Sequence, residues 1–194
     1  GIKLDGNYYG NAEYEDQECE ISGCTITDIG GSGRPMGIEL VSQENAKVFN
    51  NEIMNMTSDY RIIGLYLEER TLGVEVYDSL FHDFTNDGAN YLVGIRGWEP
   101  VGCSIHNNKF YNMHCTDNGW TSAIEIRSGT DMMYYNNMIW DISAPNGSST
   151  GYPSTVGIGL LWELGTAKVY NNTIYIDDVP ADGTDNISTG LWIR

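Results

Sequence analysis

The sequence predicts an all-β protein wound as a right-handed parallel β-helix, a solenoid of about six complete rungs of three short strands. Three observations lead there. An eleven-residue line recurs six times, a shorter apolar line recurs ahead of each copy, and no stretch keeps helical apolar spacing. The long line reads CEISGCTITDI (19–29), AKVFNNEIMNM (46–56), VEVYDSLFHDF (74–84), CSIHNNKFYNM (103–113), MMYYNNMIWDI (132–142) and AKVYNNTIYID (167–177). The short line reads GIKL (1–4), GIEL (37–40), GLYL (64–67), GIRG (94–97), AIEI (123–126) and GIGL (157–160), and GLWI (190–193) closes the chain.

Each repeat supplies three short apolar pieces. The short line is one strand, with Ile38 and Leu40 alternating about Glu39. The long line is two strands, such as Ala46 and Val48, then Ile53, separated by an Asn-Asn step. That step is too short for a crossover helix and lacks the Asn-Gly chemistry of a hairpin. A solenoid accommodates it, because the chain bends at the Asn pair and returns one rung higher, about 4.8 Å along the axis. Asn50, Asn107, Asn136 and Asn171 form one column, and Asn51, Asn108, Asn137 and Asn172 the next. Asn tolerates the left-handed backbone of a sharp bend, and stacked amides can pass hydrogen bonds from rung to rung. Gly23–Cys24 and Asp78–Ser79 interrupt the columns with turn-compatible residues. Variable segments rich in Gly, Ser, Asn, Asp and Pro follow the third strand and are expected to form a rim of loops.

Composition narrows the function classes. The 194 residues suit one domain, 1–194, and 41% hydrophobic residues provide a core. Ten basic residues stand against 27 acidic ones, a net charge of −17 that repels nucleic acid and anionic lipid. Acidic polysaccharide is disfavoured too, unless a divalent cation bridges the surfaces. No apolar run approaches the ~20 residues of a membrane span. Gly1 and Arg194 both fall within strand patterns without a capping helix, so the chain is expected to be a fragment of something longer, or to meet neighbouring copies at its ends. Cys19, Cys24, Cys103 and Cys115 have no zinc spacing, and Cys19–Cys24 or Cys103–Cys115 could pair. Sequons at Asn55, Asn146, Asn171 and Asn186 add slight support for an extracellular or cell-surface location.

The pattern G-I-x-L followed by V-x-N-N-x-I resembles the repeat of right-handed parallel β-helix proteins of the pectin-lyase-like superfamily, over the whole chain. That superfamily includes polysaccharide lyases and hydrolases, pectin esterases, phage tailspikes and surface proteins, so the resemblance speaks for the fold and little for activity. It implies a site on the outer face of the first strand. The outward row there is Lys3, Glu39, Tyr66, Arg96, Glu125, Gly159 and Trp192. By resemblance, Arg96 would act as base or hold a uronate carboxylate. Glu39 and Glu125 would be the other catalytic or cation-binding groups, and Tyr66, Trp98 and Arg127 would bind substrate. Glu39 and Glu125 are three rungs apart, roughly 14 Å, too far for a glycosidase pair. The Asn-Thr-Asp, Asp-Asp, Gly-His-Gly and Arg-Ile-Lys set of polygalacturonases is missing. A solvated charged face is the plainer reading of the row.

Two aromatic columns run along the other faces. Phe49, Tyr77, His106, Tyr135 and Tyr170 form one, and Met54, His82, Tyr111, Trp140 and Tyr175 the other. They read as mutual stacking, or as a sugar- or subunit-packing surface. The three histidines do not converge on a metal, and His114 is expected to begin a loop. The acidic loop at 177–185 offers Asp178, Asp182 and Asp185 as Ca²⁺ ligands without EF-hand spacing. Two functional expectations follow. One is an extracellular or cell-surface module that binds polysaccharide, or packs against copies of itself or other parts of a longer chain. The other is a polysaccharide lyase or glycoside hydrolase acting through the first-strand face.

Overall fold

In the computed structural model, described for residues 1–6, 16–147, 153–162, 165–177 and 187–194, the chain is a parallel β-solenoid. The described residues contain no helix, and no helix is long and apolar enough to cross a membrane. Seven strands stack in the first sheet: Ile2–Asp5, Met36–Val41, Ile62–Leu67, Tyr91–Trp98, Trp120–Arg127, Thr155–Leu161 and Ser188–Ile193. The second sheet holds Glu20–Ser22, Lys47–Phe49, Glu75–Tyr77, Ser104–His106, Met132–Tyr135 and Ala167–Tyr170. The third follows the path Thr25–Ile26, Glu52–Ser58, Leu80–Asn86, Lys109–Cys115, Met138–Trp140 and Thr173–Tyr175. Neighbours pair in parallel throughout, each strand with its equivalent one turn away.

Identical positions therefore stack. Ile38, Leu65, Ile95, Ile124 and Ile158 are in register and fully buried. Each such side chain contributes about 1.5–3 kcal/mol by leaving water. Phe81 and Phe110 stack face to face inside the third sheet, with ring centroids 4.9 Å apart. Two of the glycines that open the short lines, Gly64 and Gly94, face the phenylalanine rings of this interior. A Cβ on Gly64 would lie 2.9 Å from Phe81 and 2.6 Å from the Gly94 carbonyl oxygen. At these two positions glycine is a packing requirement of the aromatic interior, while Gly37 and Gly157 pack against Ile53 and Ile174.

The Asn columns behave as their chemistry dictates. Gly23, Asn50, Asp78, Asn107, Asn136 and Asn171 all take φ between +51° and +66°. In the next column Asn108 is fully buried. Its Oδ1 accepts the Ser79 N–H at 3.0 Å, and its Nδ2 donates to Val76 O at 2.9 Å and Asn137 Oδ1 at 3.2 Å. Asn137 repeats the pattern against Asn172 and Ile105. Ser79, which breaks the asparagine run, still carries the ladder by accepting the Asn51 N–H at 3.2 Å.

That left-handed column is one of four among the described residues. Ser42, Arg70, Glu99, Ser128 and Trp162 are left-handed after the first sheet, and Asn45, Gly73, Gly102 and Asp131 before the second. Asp28, Asn55, Asp83, Asn112 and Asp141 bend within the third. Part of the expected rim is strand instead. Third-sheet strands continue past their bend to Ser58, Asn86 and Cys115 because Met56, Phe84 and Met113 still find the core. His114 lies inside such a strand rather than opening a loop. All four cysteines are free, so neither Cys19–Cys24 nor Cys103–Cys115 is a bridge.

The first aromatic column is a mutual stack throughout, and the second is one from His82 to Trp140. Phe49–Tyr77–His106–Tyr135–Tyr170 have centroid spacings of 5.0, 5.1, 4.5 and 5.1 Å and near-parallel rings. His82–Tyr111–Trp140 stack at 4.6 and 4.7 Å. Ring faces within the columns are thereby spent on one another, and they present edges outward. The proposed Ca²⁺ ligands Asp178, Asp182 and Asp185, and the sequon at Asn186, lie outside the described residues.

Candidate functional site

The outer face of the first sheet carries the predicted row in register: Lys3 beside Glu39, Glu39 beside Tyr66, Tyr66 beside Arg96, Arg96 beside Glu125. It is not a loose solvated face. Ile63, Tyr66, Tyr91 and Val93 form a buried outer cluster, with Met36, Trp98 and Trp120 packed against it. This cluster is separate from the interior core.

Glu125, 3% exposed, is the hub of the central part. Its Oε1 accepts from Arg127 Nε at 3.0 Å, and its Oε2 from Trp120 Nε1 at 3.1 Å. Arg96 Nε stands 3.7 Å from the same Oε1, an ion pair too long for a hydrogen bond. Arg96 is 8% exposed, and its Nε and Nη1 have no hydrogen-bond partner. Its guanidinium lies 4.2 Å over the Tyr91 ring, which Arg61 also approaches at 5.0 Å. Arg61 is held by Asn90 Oδ1 at 3.1 Å and also covers Tyr60. Arg127 covers Trp162. The buried Arg96–Tyr91 contact is worth up to about 2 kcal/mol, and those on the exposed Tyr60 and Trp162 rings about 0.5–1 kcal/mol.

The neighbouring turns gather carboxylates. Lys3 Nζ reaches Asp5 at 3.2 Å and Glu39 at 3.5 Å. Arg34 lies over Tyr66 at 5.5 Å. Burial, then the negative charge of Glu39, raises the Glu68 carboxyl above its ordinary value. Burial, then Glu68, raises the Tyr66 phenol.

The fold brings Tyr66, Arg96 and Glu125 together on consecutive turns, with Trp98 and Arg127 on the same strands as Arg96 and Glu125. Glu39 keeps three strand steps from Glu125 and belongs to the Lys3 end. Sequence reading passed over Arg34, Arg61, Tyr91 and Trp120. Ile62 and Leu65 both face the interior, while Ile63 and Tyr66 both face outward, so the alternation loses step at Gly64. Extending the short-line phase upstream therefore assigns Tyr91 and Trp120 to the interior, opposite to the outer face they occupy. Their appearance just ahead of GIRG and AIEI was the available signal.

Lys3, Arg34, Arg61, Arg96 and Arg127 are five of the ten basic residues in a chain of net charge −17. Asp5, Glu39, Glu68 and Glu125 stand among them, so this face is close to neutral and the acidic excess lies elsewhere. Among the described residues no cluster of three His, Cys, Asp or Glu side chains is arranged to hold a metal ion. Comparison with known proteins returned no family model, no curated protein and no solved structure that matches the chain.

Proposed function

We propose that this chain is an extracellular or cell-surface carbohydrate-binding module of the pectin-lyase-like kind, and that the outer face of its first sheet takes an acidic saccharide. The observation that carries the reading is the gathering of Arg61, Arg96 and Arg127 with Tyr91, Trp98 and Trp120 on one face of an otherwise acidic molecule; Arg96 is ion-paired to Glu125 at 3.7 Å, and its Nε and Nη1 make no hydrogen bond. A guanidinium does not lose its proton in proteins, so Arg96 suits holding a carboxylate better than serving as a base. Arg127 and Trp98 flank it, one a donor and the other a ring for the sugar's apolar face. The buried cluster of Ile63, Tyr66, Tyr91 and Val93 supplies a dry floor on which such contacts gain strength.

Calorimetric titration with uronate trisaccharides tests this. Binding is expected, weakening as salt rises, and at least tenfold weaker in Arg127→Ala and Trp98→Ala. No binding by any acidic oligosaccharide would refute it.

One observation favours catalysis as a second reading. Glu68 combines partial burial with a raised pKa near Glu39 and Tyr66, the environment of a general acid in a polysaccharide hydrolase or lyase. That reading requires release of reducing ends from an acidic polysaccharide, lost in Glu68→Gln. Absence of turnover with wild-type protein removes it and leaves the binding role.

A further inference from the structure

The third sheet carries a second constellation, on residues that the first-sheet site does not use. Asp28, Asn55, Asp83, Asn112 and Asp141 occupy one position on successive turns, each with φ between +51° and +58°. Two residues further on, Gly30, Thr57, Thr85, His114 and Ser143 stand in register. The left-handed bend falls at the first of these columns. An open groove there encloses about 530 Å³ and is lined by Asp28, Gly30, Asn55, Thr57, Asp83, Thr85 and Asn112. Every lining side chain is a carboxylate, a carboxamide or a hydroxyl.

Several of these groups are already held in place. Asn55 Nδ2 donates to Thr27 Oγ1 at 3.2 Å. Asn112 Nδ2 donates to Asp83 Oδ1, and His82 Nδ1 lies 2.8 Å from Asp83 Oδ2. Burial pushes the Asp83 carboxyl up, but the bonds from His82 and Asn112 outweigh it and hold the group below its ordinary value. Asp83 thus presents an ionised acceptor, and hydroxyls and carboxamides stand above and below it one turn away.

The ligand class follows from that inventory. The groove offers acceptors to hydroxyl donors, and its carboxylates exclude anions. The two columns advance once per turn, about 4.8 Å along the axis, so a linear ligand with a similar repeat meets a carboxylate or carboxamide at each unit, and a hydroxyl at Thr57 and Thr85. A single cation fits poorly. Asp28 and Asp83 are two turns apart, about 10 Å, with the neutral Asn55 between them. We propose that this groove is a second carbohydrate site, which takes a linear neutral glycan laid parallel to the solenoid axis. It stands independently of the acidic-saccharide reading of the first sheet, and the ligand charge separates the two.

The test titrates wild-type protein with neutral β-1,4-linked di- and tetrasaccharides of glucose, mannose and galactose, with chelator present. The double variant Thr57→Val/Thr85→Val removes two hydroxyls while keeping β-branched side chains, and a thermal melt confirms its fold. At least one tetrasaccharide is expected to bind, more tightly than its disaccharide. Its affinity should fall at least tenfold in the Val/Val variant and stay unchanged in Trp98→Ala. No binding by any tetrasaccharide, equal binding by the Val/Val variant, or loss in Trp98→Ala overturns the inference.

Discussion

Replacing Asn108 with alanine isolates the amide ladder that holds the second and third sheets at their shared corner. The side chain is fully buried and makes three hydrogen bonds, to Ser79 N, Val76 O and Asn137 Oδ1. Alanine strands the Ser79 N–H in the interior, which costs about 1–3 kcal/mol. The two donated bonds add about 1 kcal/mol each. The sum, about 3–5 kcal/mol, is a large share of the ~5–15 kcal/mol that stabilises a typical domain. With a urea m-value of about 2 kcal/mol/M, the unfolding midpoint should drop by about 2 M. Urea titration followed by circular dichroism reads it directly. The neighbouring Asn107 is exposed at φ +57°. Asn107→Gly keeps the bend, because glycine adopts that conformation without a Cβ penalty. Its midpoint should stay within the equivalent of ~0.5 kcal/mol. A loss below about 1 kcal/mol in Asn108→Ala, or equal losses in both variants, would refute the ladder as a source of stability.

Three further outcomes follow from local chemistry. Burial between Tyr77 and Tyr135 lowers the His106 pKa from 6.5, against the pull of Glu75 and Asp78. The unfolded chain therefore takes up the proton first, so stability falls as pH drops from 6.5 toward the folded value. Urea midpoints between pH 7 and 5 should show that fall, and His106→Phe should flatten it. Burial pushes the Cys103 and Cys115 thiols up to about 12 and about 11. Iodoacetamide at pH 8 should modify Cys19 and Cys24 in the native protein, and the other two only after unfolding, as mass spectrometry would report. Gly64→Val forces side-chain atoms toward Phe81 and the Gly94 carbonyl. It should destabilise by at least ~2 kcal/mol in the same urea assay.

The solenoid was legible because each turn repeats the same apolar phase and the Asn pair marks one bend in plain residue types. The other corners were less visible. Arg70, Glu99, Ser128 and Trp162 share a left-handed backbone yet have no common side chain, so only stacking reveals them. The first-sheet row was legible as far as alternation holds, which gave Glu39, Tyr66, Arg96 and Glu125 one face. It was read as a solvated surface because burial depends on Tyr91, Trp120 and Arg61, which approach from neighbouring turns and strand ends. The third-sheet groove escaped notice for a similar reason. Asp28, Asn55, Asp83 and Asn112 alternate in charge, and they line one groove only because the turn length brings them into register.

Tryptophan provides a direct reporter for the central claim. Trp98, Trp120 and Trp162 belong to the first-sheet face, while Trp140 stacks on Tyr111 in the third sheet. Hydroxyl-radical footprinting with and without a saturating uronate trisaccharide measures them separately. Protection of the first-sheet indoles with Trp140 unchanged is the predicted result. Unchanged labelling at all of them, or protection confined to Trp140, would contradict a carbohydrate site on the first sheet.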